Sequence, residues 1–101
     1  MKKEKKRYLA FEIISDENFN KKNVIREIWD QSLEILGELN TAKSKFWLID
    51  YDEEKSIGIF KVSNDYLEEL RFVLASIKDL NGERVIFKSL KSSGIIRNLK
   101  D

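Results

Sequence analysis

Basic side chains gather at the two ends of this sequence, where their chemistry suits phosphate groups. Residues 1–7 hold five Lys or Arg and one Glu, and residues 84–101 hold five Lys or Arg and one Asp. Positions 8–83 are net acidic, so the overall charge of +1 conceals two basic segments. Because ammonium and guanidinium groups neutralise phosphates, we predict a nucleic-acid-binding surface built from both ends. Its candidate residues are Lys2, Lys3, Lys5, Lys6, Arg7, Lys91 and Arg97.

The residue types that are missing argue against most protein-based catalysis. The chain has no Cys and no His. Disulfides, thiolate nucleophiles, Cys/His zinc sites and the usual general base near neutral pH are therefore excluded. We predict a binding protein that has no catalytic residues, no metal ligands and no cofactor of its own.

An acidic stretch provides the only other cluster with possible chemistry. Asp50, Asp52, Glu53 and Glu54 could hold a hard metal ion, but Lys55 stands where the glycine of an EF-hand loop is expected. Two-metal nucleases also need carboxylates from several elements around one cleft. We predict a solvated turn here, with a metal-dependent nuclease as the alternative.

Residue patterning predicts the elements that position these groups. Strand-like runs cover residues 8–14, 45–51, 56–62 and 84–90. A first amphipathic helix follows Asn20 as its N-cap, has its apolar stripe within 24–36 and ends at Gly37. A second helix has Asn64 or Asp65 as its N-cap and carries an apolar stripe to Ile77, and Asn81-Gly82 marks a turn.

The order β-α-β-β-α-β predicts an α+β, ferredoxin-like or RRM-like sandwich, in which two helices pack on one face of a four-stranded antiparallel sheet. We expect one domain over residues 1–101, with a basic N-terminal arm at 1–7 and a basic C-terminal tail at 91–101. We also expect the first and last strands to be central neighbours, which would bring the basic ends together. No apolar run is long enough to span a membrane or to serve as a signal peptide, so we expect a cytoplasmic protein.

The second and third strands carry more apolar surface than a sheet with one solvated face needs. Strict alternation would put Trp47, Ile49 and Tyr51 on one face, and Ile57 and Ile59 on one face of the next strand. We predict that these five residues form a protein-partner face. RNA-recognition motifs stack bases on aromatic residues of the third strand, whereas this chain has Ile57 and Ile59 there. We therefore expect no base stacking by this sheet.

Four short motifs together resemble a known family. They are Lys6-Arg7-Tyr8-Leu9, Ile28-Trp29, Gly37-Glu38-Leu39 and Ser93-Gly94-Ile95-Ile96-Arg97. In this order and spacing they resemble protein component 2 of archaeal ribonuclease P, related to a eukaryotic precursor-RNA-processing subunit. The family tail usually reads Ser/Gly-Gly-Thr-Ile-Arg, and Ile95 replaces the Thr here.

The resemblance implies a non-catalytic protein subunit of a ribonucleoprotein endonuclease that removes the 5′ leader of precursor tRNA. It implies that the ribonuclease P RNA performs the hydrolysis with its own Mg²⁺ ions. It also implies protein component 3 as a partner, in a heterodimer that can pair into a heterotetramer, and only indirect contact with precursor tRNA. The alternative is a stand-alone small ferredoxin-like module that binds RNA or associates with the ribosome.

Overall fold

A computed structural model describes residues 5–96 and Leu99 of the 101-residue chain. Its strands and helices follow one another in the predicted alternation, with one added hairpin. They are β1 (Lys6–Ile14), α1 (Lys21–Ser44), β2 (Trp47–Asp52), β3 (Ile57–Ser63), a 3₁₀ turn (Asn64–Tyr66), α2 (Leu67–Ser76), β4 (Asp79–Leu80), β5 (Glu83–Arg84) and β6 (Ile86–Ser93). No helix within the described residues is long and apolar enough to cross a membrane.

The main sheet has the strand order β2-β3-β1-β6, and every neighbouring pair is antiparallel. The predicted α+β fold class is therefore confirmed. The first and last strands are neighbours, as expected, but β6 lies at an edge while β1 and β3 form the centre. The expectation that both would be central was wrong, because β3 rather than β6 fills the second central position.

One face of the main sheet is covered by both helices. The other, on which Leu99 lies near Ile57 and Ile59, is called the open face below. Leu9, Phe11 and Ile13 alternate along β1 and join a single buried cluster with residues of both helices. The predicted stripe of α2 belongs to the same cluster, with Leu70, Val73 and Leu74 fully buried.

Helix α1 begins as predicted, breaks at the predicted end and continues as a second helical segment. The side chain of Asn20 accepts a hydrogen bond from the backbone N–H of Asn23 at 2.8 Å, which caps the first turn. Gly37 has non-helical angles (φ 81°, ψ 170°), so the first helical segment ends there as predicted, and a second segment follows it to Ser44. Across the kink the hydroxyls of Ser32 and Thr41, both buried, form a hydrogen bond of 2.9 Å that joins the two segments.

The start of α2 differs from the prediction, whereas the predicted turn at Asn81-Gly82 is found. Asn64 lies in the 3₁₀ turn that precedes α2, and no side chain caps either segment by a hydrogen bond. Asn81 and Gly82 both have positive φ (52° and 84°), as the tight turn of the β4–β5 hairpin requires.

A bulge in β2 changes which side chains reach the open face. Pairing with β3 shifts between Leu48 and Asp50, so Ile49 is the extra residue. Tyr51 then pairs with Gly58 and packs against the buried cluster on the helix-covered face. The alternation predicted for Trp47, Ile49 and Tyr51 was therefore wrong at Tyr51.

Candidate functional site

The two basic segments of the sequence meet at one end of the main sheet, called the basic end below. β1 begins there and β6 ends there, since Tyr8 pairs with Ser93 and Leu9 pairs with Ser92. The contact continues past the strands, because a Cβ added at Gly94 would lie 3.7 Å from Nη1 of Arg7. The predicted meeting of the two segments is thus found, although β6 is an edge strand.

The predicted phosphate-binding residues do not share one face. Lys5, Lys6 and Lys91 are exposed at the basic end. Arg7 pairs with the buried Val62 on the helix-covered side and is half-buried, with no hydrogen-bond partner for its Nε among the described residues. Lys2, Lys3 and Arg97 lie outside the described residues.

Sequence reasoning missed three basic residues that the fold brings to the same end. Lys61 lies near the end of β3, and Lys45 lies between α1 and β2, where it ends α1 in a left-handed conformation (φ 51°). Arg71 of α2 donates a hydrogen bond from Nη2 to Oγ of Ser92 at 3.0 Å. All three belong to the net acidic middle of the sequence, so only the strand order could reveal them.

A small pocket lies between the lysines of the basic end. Its volume is about 180 Å³, and its lining consists of Lys6, Lys45, Lys61, Val62 and Ser63. Three ammonium groups around one concavity create a positive potential that favours an anion. Arg71, on the helix side, lies instead near a carboxylate: in the described part of the chain, Oε1 of Glu68 is 3.7 Å from Nε of Arg71.

The residues predicted to form a protein-partner face are dispersed. Trp47 and Ile57 lie on the open face, Ile59 is on the same face but only 5 % exposed, Ile49 is the bulge residue, and Tyr51 faces the helices. Exposed apolar side chains gather instead along the β1–β6 side, where Ile14 pairs with Ile86 and Leu90 lies in the irregular stretch of β6 between Ser89 and Ser92. The edge position of β6 explains why the sequence alone did not indicate this strip.

The acidic β2–β3 connection is built as a turn at the far end of the sheet. Oδ1 of Asp52 accepts hydrogen bonds from the backbone N–H groups of Glu54 (3.0 Å) and Lys55 (3.1 Å). Among the residues that the structure describes, no three carboxylates group as metal ligands would. Burial raises the pKa of the neighbouring Tyr51, and the carboxylates of Glu53 and Asp52 add to that shift.

Comparisons with known proteins find relatives over nearly the whole chain. The model of the Rpp14/Pop5 family matches residues 7–101. The chain is 48 % identical over 98 residues to ribonuclease P protein component 2 of Pyrococcus abyssi, covering 97 % of this chain and 83 % of that protein. It is 31 % identical over 93 residues to the protein of that name from Methanosarcina acetivorans, covering 92 % and 69 %.

A solved structure supports the fold. A chain in the cryo-EM structure of yeast ribonuclease MRP superposes with a TM-score of 0.77, covering 96 % of this chain and 79 % of that chain. The two are 9 % identical in sequence, so this likeness concerns the fold alone. Because the family match spans nearly the whole chain and includes both strands that form the basic end, the chain belongs to the Rpp14/Pop5 family.

Proposed function

We infer that this chain is a protein subunit of ribonuclease P, the ribonucleoprotein that removes 5′ leaders from precursor tRNA. The observation that carries the inference is the 48 % identity to ribonuclease P protein component 2 over 97 % of the chain. The basic end is consistent with it, because a subunit that supports a catalytic RNA must bind phosphates. The proposed location of the subunit is the cytoplasm.

In this role the chain performs no chemical step itself. It neutralises phosphates of the ribonuclease P RNA, so that RNA segments that repel one another can lie close together. We assign this contact to Lys5, Lys6 and Lys91 at the basic end. Arg7 contributes from the helix-covered side, and Lys2, Lys3 and Arg97 continue the same two segments.

The hydrolysis belongs to the RNA and its Mg²⁺ ions in this proposal, and the chain binds no cofactor of its own. Asp52 lies in the acidic turn that could otherwise suggest a metal site, and its carboxylate accepts two backbone hydrogen bonds within that turn. Its structural role as a turn former supports the assignment of metal chemistry to the RNA.

Protein component 3 is the proposed protein partner, in a heterodimer that can pair into a heterotetramer. We place it on the open face away from the basic end, where Ile14, Ile86 and Leu90 are exposed and Ile57 is half-buried. Burying such side chains favours association by roughly 25 cal/mol per Å² of apolar surface before the costs of binding. Contact with precursor tRNA is indirect in this arrangement.

Reconstitution tests the proposal. Cleavage of precursor tRNA by the cognate ribonuclease P RNA is measured at limiting Mg²⁺, with RNA alone, with component 3 alone, and with component 3 plus this chain. We expect the complete set to cleave faster and at lower Mg²⁺ than either incomplete set. If this chain changes neither the rate nor the Mg²⁺ requirement, the assignment is wrong. Cleavage by the purified chain without RNA would instead support a protein nuclease.

A further inference from the structure

Three side chains form one row across the open face at the basic end. Lys61 of β3 pairs with Tyr8 of β1 on one side and with Trp47 of β2 on the other. Directly paired residues point to the same face of a sheet, so Tyr8, Lys61 and Trp47 stand side by side. With neighbouring strands about 4.8 Å apart, the two aromatic residues are separated by roughly 10 Å.

The aromatic side chains of this row are not used to build the core. Trp47 is 50 % exposed and Tyr8 is half-buried, and neither ring packs against another aromatic ring in the described part of the chain. Trp29, in contrast, packs edge-on against the buried Phe46 at a centroid distance of 5.4 Å. An indole on a solvated sheet face offers a flat apolar surface to a ligand.

The row and the lysine pocket share a residue. Lys61 stands between the two rings and also lines the pocket, together with Lys6 and Lys45. A ligand that covers the rings can therefore place a negative group among the lysines. Flat rings beside a concentration of positive charge match the chemistry of a nucleotide, which carries a planar base and a phosphate.

We propose that the row Tyr8–Lys61–Trp47 binds an unpaired stretch of RNA, whose bases stack on the two rings and whose phosphate lies in the lysine pocket. The proposal takes RNA as the ligand from the proposed function and goes beyond it by naming the form of RNA. A base in a duplex is already stacked on its neighbours, so its faces are unavailable to Tyr8 and Trp47. Loops and single strands expose those faces.

The expectation that this sheet stacks no bases rests on β3 alone, which presents Ile57 and Ile59 where RNA-recognition motifs place aromatic residues. The rings here come from β1 and β2, and β3 supplies the cation between them. Tyr8, Trp47 and Lys61 are too far apart in the sequence to form a recognisable motif. Only the strand register brings them together.

The test compares RNA with and without bases. The probes are a single-stranded RNA oligonucleotide and a ribose-phosphate strand of equal length that lacks bases. We expect the oligonucleotide to bind more tightly and to quench Trp47 fluorescence, read in a Trp29→Phe background so that Trp47 is the sole indole. Because stacking contributes ~1–3 kcal/mol per base, Trp47→Ala should weaken oligonucleotide binding by roughly 5- to 150-fold without affecting the abasic strand.

Phe72→Ala provides the matched control. Phe72 is 62 % exposed on α2, on the helix side of the molecule, so its removal deletes a similar ring remote from the row. We expect this variant to bind both strands as the wild type does. The affinity measurements need no Trp29 substitution, and circular dichroism of each variant verifies its fold.

Four outcomes would overturn the inference. In the first, the wild type binds the oligonucleotide and the abasic strand with equal affinity, and Trp47→Ala does not change either affinity. Binding would then depend on phosphates alone, without base stacking. If Trp47→Ala and Phe72→Ala weaken oligonucleotide binding equally, Trp47 contributes no more than an exposed ring outside the row. Loss of component 3 binding in Trp47→Ala, with RNA binding unchanged, would assign Trp47 to the protein interface. Absence of binding to either strand would count against the inference and the proposed function together.

Discussion

Gly58 sets how closely two aromatic side chains approach the centre of the sheet. It pairs with Phe11 on β1 and with Tyr51 on β2. A Cβ at this position would lie 2.7 Å from Cζ of Phe11 and 3.1 Å from Cδ1 of Tyr51. Phe11 is fully buried and packs on Phe60 and Phe87, so its ring has little room to move.

Gly58→Ala should therefore destabilise the fold by about 1–3 kcal/mol, which for a domain of this size lowers Tm by several degrees. Chemical denaturation followed by circular dichroism measures the change. Gly94→Ala is the control, because the nearest atom to its Cβ is 3.7 Å away, an ordinary contact. An equal loss in both variants would show that close packing at Gly58 is not the cause.

Tyr51 gives the fold a pH dependence on the alkaline side. Burial raises the pKa of its phenol above the ordinary value of about 10, so folding favours the neutral form. This contribution is present below about pH 10 and is lost as the pH rises through the folded-state pKa. We expect the free energy of unfolding of the wild type to fall relative to Tyr51→Phe above about pH 10. A constant difference between the two proteins from pH 7 to pH 11 would contradict this.

At the scale of elements, the kinked helix α1 shows what patterning can and cannot predict. The Asn20 cap and the buried face with Val24 and Ile28 follow from residue type and spacing, and both are found. Gly37 ends the first helical segment as predicted, since glycine is the usual residue just after a helix end. A second segment follows to Ser44, and the hydrogen bond between Ser32 and Thr41 joins the two segments. Residue patterning contains no signal for that second segment or for that contact.

The Ser32–Thr41 hydrogen bond should therefore contribute measurably to stability. Removing one hydroxyl leaves the other buried and unpaired, so Ser32→Ala and Thr41→Val should each cost about 1–3 kcal/mol. The double variant should lose less than the two single losses added together, because it leaves neither group unpaired. Urea denaturation of the four proteins gives the coupling energy. If the loss in the double variant equals the sum of the two single losses, the two hydroxyls have no coupling energy.

The bulge in β2 is a second feature that residue patterning could not predict. Alternation correctly placed Trp47 outside and Leu48 inside, and it failed after Ile49 because one extra residue shifts every later side chain to the opposite face. No residue near Ile49 signals a bulge, since it depends on how β3 pairs. The predicted partner face was consequently placed on the wrong side at Tyr51.

At the scale of the whole molecule, the basic end depends on topology rather than on any single segment. The ends of the sequence indicated Lys5, Lys6 and Arg7, and the predicted fold brought them beside the last strand. Lys45 and Lys61 join them only because β2 begins and β3 ends at the same edge of the sheet. The acidic β2–β3 turn lies at the opposite end, so positive and negative charge are separated along the length of the sheet.

The salt dependence of binding to ribonuclease P RNA tests the central claim most directly. Two variants remove the same charge from exposed lysines at opposite ends: Lys5→Ala with Lys6→Ala at the basic end, and Lys21→Ala with Lys22→Ala at the start of α1. If Lys5 and Lys6 contact phosphates, the slope of log K against log salt should become shallower by about 1.4–1.8 in the first variant only. Equal slopes for the wild type and both variants would show that RNA does not bind at the basic end.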